Sequence, residues 1–399
     1  MEETKNKNIK KIIIGIVAIA VIVGLVICFV IAYNNTNKIS NNTNIIATNS
    51  TTNSDTSSNT TKSNNTSSEV STSNSKNMNI TSGGNYDLSG EYGSITINTS
   101  EEVILNLNNV TITNSNGPAI NVEKAKKVTI VLSGTNKITA TTTEDLDGAI
   151  YSKADLVLSG TGTLEVKSNY DGIVSKDTLV IKNGTYTINS DDDGIRGKDS
   201  VEISAGNFTI NAGGDGIKAS NDEDLDLGYV TISGGNYNIT AKSDGIQGIT
   251  KVTISGGTIN ITSSEGIEAT CVKIDDGTIN IEATDDGINA SKKSNIGTPT
   301  VEINGGNITI KMGQGDTDGI DSNGDIIING GTISVTGQST FDYDGTSKIN
   351  GGTVICNGQQ VTTLPNQMMG GGMMGGPQGN GEQMNPNDGM QMNGGKRGR

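Results

Sequence analysis

The chain has 399 residues, with no His, no Trp, three Cys and aromatics at only 3%. Without His there is no Ser-His-Asp or Cys-His nucleophile and no His-ligated zinc or haem, and three scattered Cys make neither a disulfide framework nor a thiolate cluster. The net charge is −15, and residues 12–364 carry −18 because the first eleven residues contribute +2 and those from Pro365 onward +1; such a body repels nucleic acid, and repels anionic lipid unless cations intervene.

Residues 1–11 form a basic segment with four Lys. Residues 12–33, IIIGIVAIAVIVGLVICFVIAY, are 22 residues without a charge. As a helix they are about 33 Å long, enough to cross a bilayer. The flanking Lys place the N-terminus in the cytoplasm. The expectation is one transmembrane signal anchor in the cell membrane, with the C-terminal body outside the cell. The alternative is a secreted protein with a cleaved signal peptide, which would have a shorter apolar run and an A-x-A-like site. Cys28 is read as an apolar member of the span, because Ile27 stands where a lipoprotein site has a small residue.

Residues 34–78 are almost all Asn, Ser and Thr. They cannot bury enough apolar surface to offset ordering entropy, so a disordered stalk is expected. Residues 365–399 are rich in Gly, Met, Gln and Asn and hold seven of the ten Met. A thioether cluster can take copper(I), but the composition reads as a disordered tail.

The middle, residues 79–364, is a repeat. Units begin DGIVS at Asp171, DGIRG at Asp193, DGIKA at Asp215, DGIQG at Asp244, EGIEA at Glu265, DGINA at Asp286 and DGIDS at Asp318. The corresponding glycines fall at 148, 172, 194, 216, 245, 266, 287 and 319. The period is thus 21–22 residues, interrupted by insertions near 221–228 and 291–300. Each unit holds three short segments: G-I-x-small, then V-x-I as in Val201/Ile203, then a Gly turn and a second alternating pair such as Phe208/Ile210. Period-2 alternation means one face in and one face out. Three strands per unit, repeated, make an all-β solenoid, the parallel β-helix, of about 11 turns and ~50 Å. Tyr186, Phe208 and Tyr237 fall in the inward register, as does Cys356.

Stacking brings equivalent residues of successive turns to ~4.8 Å. Asp171, Asp193, Asp215, Asp244, Glu265, Asp286 and Asp318 then form a carboxylate column. Asp191, Asp192, Asp285, Asp316 and Asp321 crowd it, and the insertion SNDEDLDLG adds Asp222, Asp224 and Asp226. Like charges so spaced repel by roughly 1 kcal/mol per pair even at water-like dielectric. Many hard oxygens without His or Cys select calcium. The expected ligands of Ca2+ are Asp171, Asp192, Asp193, Asp215, Asp222, Asp224, Asp226, Asp244, Asp286 and Asp318. The simpler alternative is that Asp-Gly is only turn chemistry, with Gly supplying positive φ. It leaves the doubled acids and the D-x-D-x-D insertion unaccounted for.

The residue after each D-G-I Ile points away from the core: Val174, Arg196, Lys218, Gln247, Glu268, Asn289 and Asp321. Arg196, Lys218 and Gln247 are the candidate ligand-binding side chains, which together with calcium would hold a carboxylated sugar chain. The alternative for the two cations is ion pairing with neighbouring Asp.

The D-G-I repeats, the acidic insertion ending in Leu227-Gly228-Tyr229, the N-terminal signal or anchor and the Met/Gly tail resemble bacterial carbohydrate-binding β-helix proteins related to polysaccharide (pectate) lyases. The resemblance covers residues 79–399. It implies a right-handed parallel β-helix, bound calcium, and binding of cellulose-like or acidic pectin-like polysaccharide without established catalysis. The implied calcium role carries over chiefly to Asp193, Asp215 and Asp244. Glu265 departs from the pattern, standing where the repeat has Asp. The expected function is calcium-dependent, non-catalytic polysaccharide binding at the cell surface. The alternatives are a calcium-dependent polysaccharide lyase, with Lys218 or Arg196 as base, and a structural adhesin or spacer.

Overall fold

The structure, a computed structural model, describes residues 76–315 and 317–366. The expected transmembrane segment, all but the last three residues of the expected stalk, residues 367–399 of the tail and Asp316 lie outside the described residues. Every regular element among the described residues is a β-strand, starting at Lys76. None of those residues forms a helix long and apolar enough to cross a membrane.

The strands stack in three columns. The first runs through Ile120–Lys124, Gly148–Ser152, Asp171–Ser175, Ile195–Gly197 and Ile217–Ala219, then on through Asp244–Gly248 and Glu265–Ala269 to Ser339–Tyr343. The second runs from Lys127–Ser133 to Ser347–Ile349. The third runs from Thr135–Ala140 to Thr353–Cys356. All these pairings are parallel, and each joins a strand to the third one after it. The chain therefore visits the columns in fixed order and closes one turn every three strands, which is the expected β-solenoid. At its start, Gly84–Asn98 and Glu102–Asn114 each turn a corner unbroken and pair into more than one column. At its end the antiparallel strand Gln359–Val361 pairs onto Thr353–Cys356 and occupies the open edge of the third column.

The core is a set of stacked inward positions. Ile181, Ile203 and Ile232 form one row, and Ile188, Ile210 and Ile239 another, all at most 2% exposed. Each buried side chain of this size contributes roughly 1.5–3 kcal/mol. Tyr186, Phe208 and Tyr237 stack at centroid distances of 4.9 and 4.7 Å. The two tyrosines are buried because each hydroxyl finds a partner, donating to the carbonyls of Asn183 and Gly234 at 2.8 Å. Cys356 sits in register with Val335, in line with Ile188.

The glycines serve two purposes. Most of those opening the third column, such as Gly206 at φ +137°, have the positive φ of a tight turn. The D-G-I glycines do not. A Cβ on Gly194 would lie 2.6 Å from the carbonyl oxygen of Gly216 on the next turn and 2.6 Å from Ile210. Close stacking, not positive φ, requires glycine there.

Candidate functional site

The first column sets two rows side by side. In one, Tyr151, Val174, Arg196, Lys218, Gln247, Glu268, Asn289, Asp321 and Asp342 are in direct register. This row points away from the core, as expected, but it is not open to solvent throughout: Val174, Glu268 and Asn289 are buried. The other row is the acid column. Asp171, Asp193, Asp215 and Asp244 are each at most 5% exposed.

Asp171, Asp193 and Asp215 each divide their oxygens between two tasks. The Oδ1 atoms of Asp171, Asp193 and Asp215 accept the backbone N–H of the next Asp in the column at 3.0, 2.8 and 2.9 Å. Asp286 does the same for Asp318 at 3.1 Å. That oxygen clips one turn to the next. The Oδ2 atoms meet the outward row.

Along its length the site changes character. In the N-terminal half the row supplies cations. Arg196 donates from Nε to Asp171 Oδ2 at 2.6 Å and also pairs with Asp147, with Asp193 at 3.6 Å. Lys218 bridges Asp215 at 2.6 Å and Asp193 at 3.5 Å. In the C-terminal half the row turns neutral and then acidic. Gln247 donates to Asp244 and, at 3.3 Å, to Glu268. Asn289 donates to Glu265 at 3.1 Å and to Asp286 at 3.2 Å. Glu268 also pairs with Lys293 and accepts from Ser291 at 2.8 Å.

The electrostatics follow. Burial, then the charges of Asp215, Glu268 and Glu265, push the Asp244 carboxyl well above its ordinary range. Burial and the Glu268 charge raise Glu265 to about 7. Burial, partly offset by the Asp318 N–H, raises Asp286 to about 6. Burial and the neighbouring Asp286, Asp318 and Asp342 raise Asp321 to about 7. Asp171 rises to about 7 through burial, although Arg196 opposes it.

Among the described residues, two groups of carboxylates have oxygens within 4.8 Å of one another: Asp171, Asp192 and Asp193, and Asp244, Glu265 and Glu268. Both offer the hard oxygens that calcium takes. Beside the second, Asn289 Oδ1 is buried without a hydrogen-bond partner, which leaves a further oxygen donor. Asp215 is bound up with Lys218. Asp222, Asp224 and Asp226 are exposed on the insertion, outside both groups. There Asn221 Oδ1 accepts the N–H groups of Glu223 and Asp224, and Asp224 Oδ1 accepts that of Asp226. Sequence reasoning passed over Asp147, although Asp147-Gly148 repeats the Asp-Gly pair. It also set Glu265 aside and gave Glu268 no role.

The fold and this edge define a β-solenoid bearing a polyanionic column. The family model for a carbohydrate-binding domain-containing protein matches residues 74–316 and 263–361. The chain belongs to this carbohydrate-binding family. Among solved structures, that of the polysaccharide lyase-like protein from C. thermocellum, a gadolinium derivative, is similar. It is 34% identical, over 52% of this chain and 87% of that one, with a TM-score of 0.46. No curated protein matches.

Proposed function

We propose that the protein binds acidic polysaccharide at the cell surface through calcium held on the C-terminal half of its acid column, and does not cleave it. The observation that supports this most is the group Asp244, Glu265 and Glu268. Its carboxylates are drawn together and largely covered, with amides beside them in the row and one cation, Lys293 of the second insertion, paired with Glu268. A divalent ion relieves that repulsion. Calcium accepts 6–8 oxygens in flexible geometry, so three carboxylates leave positions for sugar carboxylates. The stepwise repeat lets several weak contacts along one polymer act together.

This reading moves the ion away from Asp193 and Asp215, where Arg196 and Lys218 already compensate the charge. It also weighs against the lyase alternative. Burial works against the Lys218 ammonium, but Asp193 and Asp215 outweigh it and hold its pKa above the ordinary lysine range. Arg196 is raised in the same way by Asp171 and Asp147 against its burial. A proton-abstracting base needs the opposite shift. In this reading residues 12–33, outside the described residues, tether the body to the membrane.

The test is calcium and oligogalacturonate titration of three chains. Asp244→Asn should weaken both ligands at least tenfold, and so should Glu268→Gln. Lys218→Ala should leave calcium affinity within about threefold. Unchanged calcium affinity in Asp244→Asn contradicts the assignment. Unsaturated sugar products, lost in Lys218→Ala, would establish the lyase instead.

A further inference from the structure

The two insertions that interrupt the repeat converge on one place, and it is not the acid column. Between them lies an open cleft of roughly 780 Å³ on the outer face of the second column. We infer that this cleft is a second sugar site, for an uncharged pyranose chain. The inference rests on the polysaccharide-binding reading but uses a different face and no metal.

The floor comes from the strand register. Tyr229, Lys251 and Cys271 lie on successive turns, with Thr231 paired to Thr253 beside them. The first insertion rises just before the strand that begins at Tyr229. The second rises just before the strand that begins at Thr300, which follows Cys271 in the column. The two turns between carry no insertion. The walls are therefore three strand spacings apart, ~14 Å, a slot for a short run of sugar rings.

Leu225 and Ile296 supply the walls with apolar surface. Leu225 is the large hydrophobic residue left exposed among the described residues, at 50%. Both loops that carry them are fastened to the body. On the first, Gly228 N donates to Asp199 O at 2.6 Å, Asn221 donates to Asp199 Oδ1 at 2.7 Å, and Thr250 donates to Leu227 O at 2.5 Å. On the second, Ser294 hydrogen-bonds Thr270 Oγ1 through its N and its Oγ, each at 2.9 Å. Tyr229 is held by its hydroxyl, which donates to Glu202 at 2.8 Å. The site is thus formed before any ligand arrives, which lowers the ordering cost of binding.

The chemistry fits a sugar. A pyranose presents apolar C–H faces and hydroxyl edges. One tyrosine and two aliphatic walls suit the faces, and Thr231, Thr253 and Asn295 suit the hydroxyls. The cleft's charges are Asp226 and Lys251, which cancel. An uncharged chain is therefore preferred to a uronate, which the surrounding acidic body repels.

The test is calorimetry on the full chain in detergent, with a linear gluco-oligosaccharide and, separately, an oligogalacturonate in calcium. Tyr229→Ala and Leu225→Ala should each weaken the gluco-oligosaccharide about tenfold and leave the oligogalacturonate unchanged. Tyr229→Phe should keep most of the affinity. Because Leu225 is exposed, its variant reports on binding even if Tyr229→Ala lowers stability. Bound gluco-oligosaccharide should also slow maleimide labelling of Cys271, read by peptide mass spectrometry. No binding of the uncharged ligand, or unchanged affinity in Leu225→Ala, overturns the cleft and leaves the calcium reading standing. Uncharged binding without any calcium-dependent uronate binding has the opposite meaning.

Discussion

Asp215 shows how one side chain serves fold and site together. Its Oδ1 accepts the N–H of Asp244 and its Oδ2 holds Lys218. In the C-terminal half the second oxygen of each acid has no such cation in the row, and this gives the metal-free protein a particular pH response. Glu265 and Asp321 keep their protons up to about 7, and Asp286 up to about 6, because burial and like charge disfavour the carboxylate. Their unfolded values lie near 4. The folded state therefore binds more protons between pH 4 and 7. The stability these groups contribute is complete below the unfolded pKa and is lost as pH rises through 6 and 7. The melting temperature of the metal-free protein should fall from pH 5 to pH 8. Saturating calcium should reduce that fall, since the ion replaces the protons of the C-terminal acids while Asp171 still titrates. Parallel curves with and without calcium would contradict the picture. At this scale the sequence showed the acids but not their partners. Glu265 departs from the D-G-I pattern, and only stacking places it beside Asp244 of the preceding turn. Likewise, that Arg196 reaches back to Asp147, 49 residues away, follows from the coil and from no local motif.

The strand and its turn are the next scale, and here the period did most of the work. The V-x-I pairs and the third-segment pairs lie in the expected inward register, so substitutions at them have predictable consequences. Ile203 is 1% exposed between Ile181 and Ile232. Ile203→Asp places an unpaired charge in that row and should cost about 4 kcal/mol or more, measured by denaturant unfolding. Gly194→Ala should cost about 1–3 kcal/mol through overpacking, since its Cβ meets the next turn's carbonyl. A neutral Gly194→Ala would refute the close-stacking account. The sequence could not separate the two kinds of glycine, because a turn and a close approach select the same residue. Nor could it show that the first strands run unbroken around a corner, since alternation continues through both.

Across the whole molecule, departures from the repeat carry information that the repeat does not. The two insertions read as interruptions in the spacing, and the fold makes them the walls of one cleft. Of the acids on the first insertion, Asp224 accepts the N–H of Asp226, Glu223 pairs with Lys198, and Asp226 lines that cleft. Calcium bound only by the folded coil should stabilise it by about 2.7 kcal/mol at a hundredfold excess over Kd. The proposed function requires the acid column to work through calcium on a carboxylated polymer. The most direct measurement is equilibrium binding of homogalacturonan to the full chain at pH 7.5, in calcium and in excess chelator. Binding in calcium should be lost in chelator and restored by adding the ion back. Binding of equal strength in both conditions, or in neither, would contradict the proposal.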